Sequence, residues 1–147
     1  MKNDLKKAME LLKEGGYTCV LCRGAKSCTS TERGVKPLFG WLRSGADLKG
    51  YCAADKVVGK AAAFLYVLLG VEQVYAEVMS QKAIDVLDRF GIEAFCDEAP
   101  ETIRNRDNTG MCPMEKTVLE IEQPMEALQA VERKLAELRG AQTALKE

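Results

Sequence analysis

Between Val57 and Gly70 the chain carries one charged residue, Lys60, in a run of alanines, branched aliphatics and aromatics. A helix over residues 56–69 built from this run is apolar on nearly every side. It therefore needs neighbours all round and lies at the centre of whatever the chain folds into. Asp55 reads as its N-cap and Gly70 as its C-terminal stop. The longest apolar stretch, residues 61–70, falls far short of the roughly 20 residues a membrane-spanning helix needs.

The elements around this helix follow from periodicity. Leu5, Ala8, Met9, Leu11 and Leu12 form a stripe on a helix over residues 3–14, which Gly15 and Gly16 stop. Residues 17–23 read as a strand, residues 24–26 as a turn and residues 27–33 as its hairpin partner. Residues 34–50 hold Pro37, Gly40 and Gly45 with Phe39, Trp41 and Leu42 between them, a loop or short helix that packs onto the core or meets another subunit. Residues 72–79 predict a strand. Ser80 caps a helix over 81–90 with Ala83, Ile84, Leu87 and Phe90 inward, Gly91 ends it, and residues 92–97 form another strand.

A polar connection over residues 98–111 follows, of the length that is often functional in compact domains. Cys112-Pro113 with Glu115 has the form of a helix start. Pro124 opens a last helix over 124–140, with Met125, Leu128, Val131, Leu135 and Leu138 as an apolar seam. Alternating strands and helices of these lengths predict an α/β fold, a three-layer α-β-α arrangement on a mixed sheet. It is a single domain over residues 1–147, with 124–140 an additional C-terminal helix.

Composition narrows the chemistry. The 147 residues contain six cysteines and no histidine. Histidine-based triads, histidine-containing zinc sites and simple histidine pH switches are thereby excluded. Lys+Arg of 21 against Asp+Glu of 22 gives a net charge of -1, so there is no bulk field to attract nucleic acid or a membrane surface. The N-terminal residues are too polar for a secretory signal. A cytoplasmic protein with reduced thiols is the expectation. Cys19 and Cys22 form a CxxC, but on a strand residues three apart face opposite ways, which opposes chelation. No metal site and no cofactor are expected.

Three segments carry candidate chemistry. The first is Ala54-Asp55-Lys56-Val57-Val58-Gly59-Lys60-Ala61, a failed phosphate loop with Ala54 where glycine belongs and Ala61 in place of the magnesium-binding hydroxyl. Its lysines place positive charge at the positive end of a helix dipole, which a bound anion would offset. The second is Ser80-Gln81-Lys82, another lysine in a first helical turn directly after a strand, where α/β sheets gather ligands. The third runs from Asn105 and Arg106 through Thr109 and Gly110 to Cys112 and Glu115, with Cys112 a candidate nucleophile at a helix start.

The blocks Gly34-Val35-Lys36-Pro37, residues 54–62 and residues 105–115 resemble a family of small bacterial and archaeal proteins of unknown function with a cytidine-deaminase-like fold. The similarity covers roughly residues 1–122. Zinc deaminases carry H-x-E at the start of the buried helix and P-C-x-x-C at the start of the next. The corresponding positions here, Gly59-Lys60-Ala61 and residues 79–83, hold no such ligand and no general-acid glutamate. The resemblance thus implies the fold and the pocket position without zinc-dependent cytidine deamination.

The leading expectation is a small anionic or nucleotide-like ligand at the N-termini of the 56–69 and 81–90 helices. Asp55, Lys56, Gly59, Ser80, Lys82, Asn105, Arg106, Thr109, Gly110 and Glu115 would bind it, with Cys112 and Lys60 as candidate catalytic residues. The alternatives are a degenerate, non-catalytic enzyme acting as a homodimeric interaction module, and a metal-free enzyme dependent on Cys112.

Overall fold

A computed structural model describes residues 1–105 and 107–146. Helix α1 (Asn3–Glu14) precedes the hairpin β1 (Cys19–Arg23) and β2 (Lys26–Ser30), in which Arg23 pairs with Lys26 across a tight turn. Gly24 takes that turn at φ 58, which suits a residue without a side chain. Helix α2 (Lys36–Ser44) follows, then β3 (Cys52–Val58), α3 (Lys60–Leu69), β4 (Gln73–Met79), α4 (Gln81–Arg89) and β5 (Glu93–Glu98). A short α5 (Pro113–Thr117) and the long α6 (Pro124–Lys146) complete the chain.

The five strands form one sheet in the order β2-β1-β3-β4-β5. The β2–β1 and β1–β3 pairs are antiparallel, while β3–β4 and β4–β5 are parallel, so the sheet is mixed, as the alternation of elements predicts. Helix α1 covers one face through Leu5, Ala8 and Leu12, packed with Val20, Cys22, Cys52, Ala54 and Tyr75. The other face carries the larger core, into which α3 and α4 send Phe64, Leu65, Tyr66 and Leu87. Cys19 lies in this larger core and Cys22 in the α1 cluster, so the CxxC is split by the sheet.

Helix α3 occupies the predicted central position. It packs against the sheet, α2, α4 and α6, and Ala61, Ala63, Phe64, Leu65 and Tyr66 are all but inaccessible to solvent. Phe39, Trp41 and Leu42 of α2 are partly buried against the same core. Burying one large aliphatic or aromatic side chain of this kind contributes about 1.5–3 kcal/mol.

The structure corrects the sequence reading at one decisive place. Residues 52–58 form a central strand, and the helix expected from residue 56 begins at Lys60. Asp55 is consequently a strand residue and caps nothing; Gly59 holds the N-cap position. The β-branched Val57 and Val58 pair with Val78 and Met79 of β4, while Cys52–Asp55 pair with β1 on the other side. A strand buried from both edges gains more from this ladder than its last residues gain as about one further turn of helix.

Smaller differences follow from packing. Val86 takes the inward place expected for Phe90, which is exposed. Along α6 the buried face is Ala127, Ala130 and Val131, while Met125 and Leu138 of the expected seam are exposed. The helix also continues through Gly140, since one glycine costs a helix only about 1 kcal/mol. Among the described residues no helix is long and apolar enough to cross a membrane.

Candidate functional site

The parallel strands β3 and β4 end side by side, each running straight into a helix, and the candidate chemistry gathers around the first of these junctions. Gly59 has an extended backbone and no side chain with which to cap α3. The cap comes from α5. Glu115 Oε1 accepts the Lys60 N–H at 2.6 Å and Oε2 accepts the Ala61 N–H at 3.0 Å, with the residue only 7% exposed. A Cβ on Gly59 would lie 2.3 Å from Glu115 Oε1, so the carboxylate fits only because residue 59 is glycine. Burial pushes the Glu115 carboxyl up, and the two amides and the charges of Lys60 and Lys82 pull it back only in part. The positive end of the α3 dipole is therefore already satisfied by a carboxylate of the chain itself.

Beside Glu115 opens a cleft of about 560 Å³ between residues 33–36, the end of β3, α3, α6 and the 103–115 segment. Its walls are aliphatic. Val57 and Leu138, each 43% exposed, face it together with Ile103, Leu135 and Ala62. Arg33, Lys36 and Arg104 contribute positive charge, Asp107 and Glu115 bring carboxyl groups, and Gly59, Asn105 and Cys112 line it as well.

The 103–112 segment holds its own shape. Arg104 and Met111 form a β-bridge, and Asn105 Oδ1 accepts the Thr109 N–H at 2.9 Å while Asn105 Nδ2 donates to Thr109 Oγ1 at 3.0 Å. The Arg104 guanidinium donates to the Asn108 side chain and carbonyl, and Asn108 adopts φ 56, which asparagine tolerates better than most residues. The Gly110 carbonyl accepts the Asn105 N–H. Asn105, Thr109 and Gly110 thus shape the segment. Arg106 lies outside the described residues.

The lysines are placed elsewhere. Lys60 and Lys82 line a smaller groove of about 250 Å³ with Asp85, Arg89, Leu119 and Glu122, which shares no lining residue with the cleft. Lys60 Nζ donates to the Leu119 carbonyl at 2.9 Å and pairs with Glu122 Oε1 at 3.3 Å. Arg89 pairs with Glu122 Oε2 at 3.0 Å. These contacts, led by the hydrogen bond from Lys60, hold the Glu122 carboxyl below its usual range.

Asp55, Lys56 and Ser80 belong to neither cavity. Asp55 is buried beneath α3, where its Oδ2 accepts the Tyr66 hydroxyl at 2.6 Å and Cys19 Sγ lies 3.3 Å from the same hydroxyl. Burial pushes its carboxyl up to about 7, against the pull of that hydroxyl and of nearby backbone amides. Lys56, one residue further along the strand, pairs with Glu77 of β4 at 3.1 Å rather than marking a helix start. Ser80 caps α4 as predicted, its Oγ accepting the Ala83 N–H at 3.1 Å.

Of the predicted site residues, Gly59, Asn105, Cys112 and Glu115 converge on the cleft and Lys60 and Lys82 on the groove. Arg33, Lys36, Arg89 and Glu122 were not read from the sequence. Lys36 had a signal in the Gly34–Pro37 block, whereas Arg89 and Glu122 are ordinary surface charges until the fold brings them together.

A family model described as a domain of unknown function, DUF1893, matches residues 7–135. The crystal structure of a DUF1893 family protein from Thermotoga maritima superposes with a TM-score of 0.83 at 29% identity, covering 91% of each chain. Deaminases are also among the similar structures. A dCMP deaminase from the cyanophage S-TIM5, in complex with dCMP and dUMP, gives a TM-score of 0.44 at 15% identity over 65% of this chain and 98% of that one. A diaminohydroxyphosphoribosylaminopyrimidine deaminase/5-amino-6-(5-phosphoribosylamino)uracil reductase from Thermotoga maritima gives 0.41 at 15% identity over 62% of this chain and 34% of that one. No curated protein matches the chain.

Proposed function

The chain belongs to the DUF1893 family, a domain of unknown function, and from that premise we propose that it binds a small anionic molecule in the cleft beside Glu115. The observation that carries this reading is the pairing of exposed aliphatic walls with unneutralised cations. Val57 and Leu138 leave apolar surface open inside a concavity of about 560 Å³, within the usual range for small-molecule sites. Among the described residues Arg33 and Lys36 make no hydrogen bond or ion pair, so both are free to meet a ligand.

The ligand has a carboxylate or phosphate for Arg33 and Lys36, and an aliphatic or sugar-like body for the walls. A stacked nucleobase is a poorer match, because no aromatic ring lines the cleft among the described residues. Glu115 sets the floor and resists a second negative charge there. Its carboxyl already holds the α3 amides, so the ligand's anion belongs at the Arg33–Lys36 rim and not at the helix terminus. Cys112 is a wall residue in this reading.

Titration calorimetry and thermal shift with short-chain carboxylates, sugar phosphates and nucleoside monophosphates test it. At least one carboxylate or sugar phosphate raises the melting temperature, and combined Arg33→Ala and Lys36→Ala weakens its binding by about tenfold or more, as expected for loss of two charge-assisted contacts. A panel that leaves the melting temperature unmoved, or binding indifferent to both substitutions, overturns the proposal.

A further inference from the structure

The groove that holds Lys60 and Lys82 is built unlike an ordinary surface ion pair. Two of its cations, Lys60 and Arg89, are held in place and its anion is not. The Lys60 side chain is only 7% exposed, whereas the Glu122 side chain that pairs with it is 61% exposed and sits on the turn between α5 and α6. The Arg89 guanidinium is held over the Phe64 and Phe90 rings, 6.0 and 4.7 Å from their centroids. Among the described residues Lys82 makes no hydrogen bond or ion pair. A buried ammonium and a stacked guanidinium are preorganised donors, and a site with fixed donors loses little on binding an anion.

Glu122 satisfies this site incompletely. Its two carboxylate oxygens meet Lys60 and Arg89, while the Lys82 side chain makes no hydrogen bond or ion pair among the described residues and acts on Glu115 only through its charge. Three cations (Lys60, Lys82, Arg89) and two carboxylates (Asp85, Glu122) line the groove, and the charges of Lys60 and Lys82 also act on the buried Glu115 carboxyl behind it. With Glu122 swung out to solvent, Asp85 is the one carboxylate left among the groove's lining residues, against three cations. The resulting positive excess favours an anion, and a phosphoryl group offers it three terminal oxygens where a carboxylate offers two.

We propose that the groove between α3, α4 and residues 119–122 is an anion site for a phosphoryl group, in which the Glu122 carboxylate is the chain's own displaceable stand-in. The site is separate from the cleft and rests on different residues. Neutralising Glu122 removes the competitor and strengthens binding, whereas a mere structural ion pair predicts only lost stability.

The test is titration calorimetry of the full chain with inorganic phosphate at constant ionic strength, repeated with a nucleoside monophosphate to separate free phosphate from a phosphate ester. Glu122→Gln binds phosphate about tenfold more tightly than the parent protein. Lys82→Ala, which removes no side-chain hydrogen bond or ion pair among the described residues, weakens binding about tenfold in either background. Lys26→Ala, at the hairpin turn and in neither cavity, leaves phosphate binding unchanged. The proposal is overturned if phosphate gives no saturable heat with the Glu122→Gln protein, if that protein binds no more tightly than the parent, or if Lys82→Ala has no effect. Should Glu122→Gln fail to fold, Lys82→Ala against the parent protein decides the matter alone.

Discussion

Two adjacent junctions in this molecule have the same plan and opposite means of support. At the end of β4 the chain passes through Ser80 into α4, and the serine hydroxyl caps the helix it begins. At the end of β3 it passes through Gly59 into α3, and the cap arrives from Glu115, 55 positions from the Lys60 amide it receives. The first junction carries its own side-chain cap, and the Gln81 N–H donates to the Pro100 carbonyl. The second is complete only when α5 has docked, which ties the central helix to the segment that lines the cleft.

Removing the distant cap has the largest expected effect. Glu115→Ala leaves two buried N–H donors without acceptors, at about 1–3 kcal/mol each, for an expected loss of about 4 kcal/mol in urea unfolding. Gly59→Ala forces a methyl into the space of the same carboxylate and costs about 2 kcal/mol alone. In the Glu115→Ala background it costs almost nothing, because the obstacle has gone. Additive losses would break the comparison, since they would mean the carboxylate does not fill the space beside Gly59.

Next in size is pH. The β3 side of the comparison carries two carboxyls raised by burial, Asp55 to about 7 and Glu115 in the same direction. Each binds its proton more tightly folded than unfolded. The stability they contribute is full below the unfolded carboxylate range and declines as pH rises toward the Asp55 value near 7, then levels off. The expected decline from Asp55 is about 4 kcal/mol at most. Asp55→Asn, which keeps an acceptor for Tyr66, flattens that part of the profile in denaturant melts between about pH 4 and about pH 8. Glu122 has the opposite sign, its lowered carboxyl losing its contribution only on acidification.

The smallest effect is expected at the junction that Ser80 caps. Ser80→Ala removes one hydroxyl cap and costs about 1 kcal/mol. That loss is the same across the pH range in which the β3 junction weakens, because the cap is uncharged. A pH-dependent cost at Ser80 would show that the two junctions are energetically coupled.

What was legible divides along the same line. The stripe of Leu5, Ala8 and Leu12, the Ser80 cap, the Pro113 and Pro124 helix starts and the split of Cys19 from Cys22 all depend on neighbours within a few residues, and the structure bears each out. Residues 52–58 were not legible as a strand. Once a segment is buried on both faces its apolar residues lose the alternation that marks a strand, and Val57 and Val58 merge with the helix that follows. Reading Asp55 as a helix cap was the natural error, because a buried aspartate on a central strand is costly unless something like Tyr66 meets it.

The candidate site shows the same limit. Lys60 and Lys82 were singled out for standing at helix starts, and they do share a groove, but what sets their chemistry is Glu122 and Arg89. Glu115 was singled out as a ligand contact, and it lines the cleft while also serving as the missing cap of α3.

By itself the sequence determined that one helix lies at the centre, that the fold is α/β, and that histidine chemistry is absent. Each follows from residue types and their spacing along the chain. Only the tertiary structure decided where the central helix begins, which carboxylate caps it, and that the cations divide between a cleft and a groove. Those outcomes depend on groups far apart in sequence, whose energies are set by burial and by the partner each group finds.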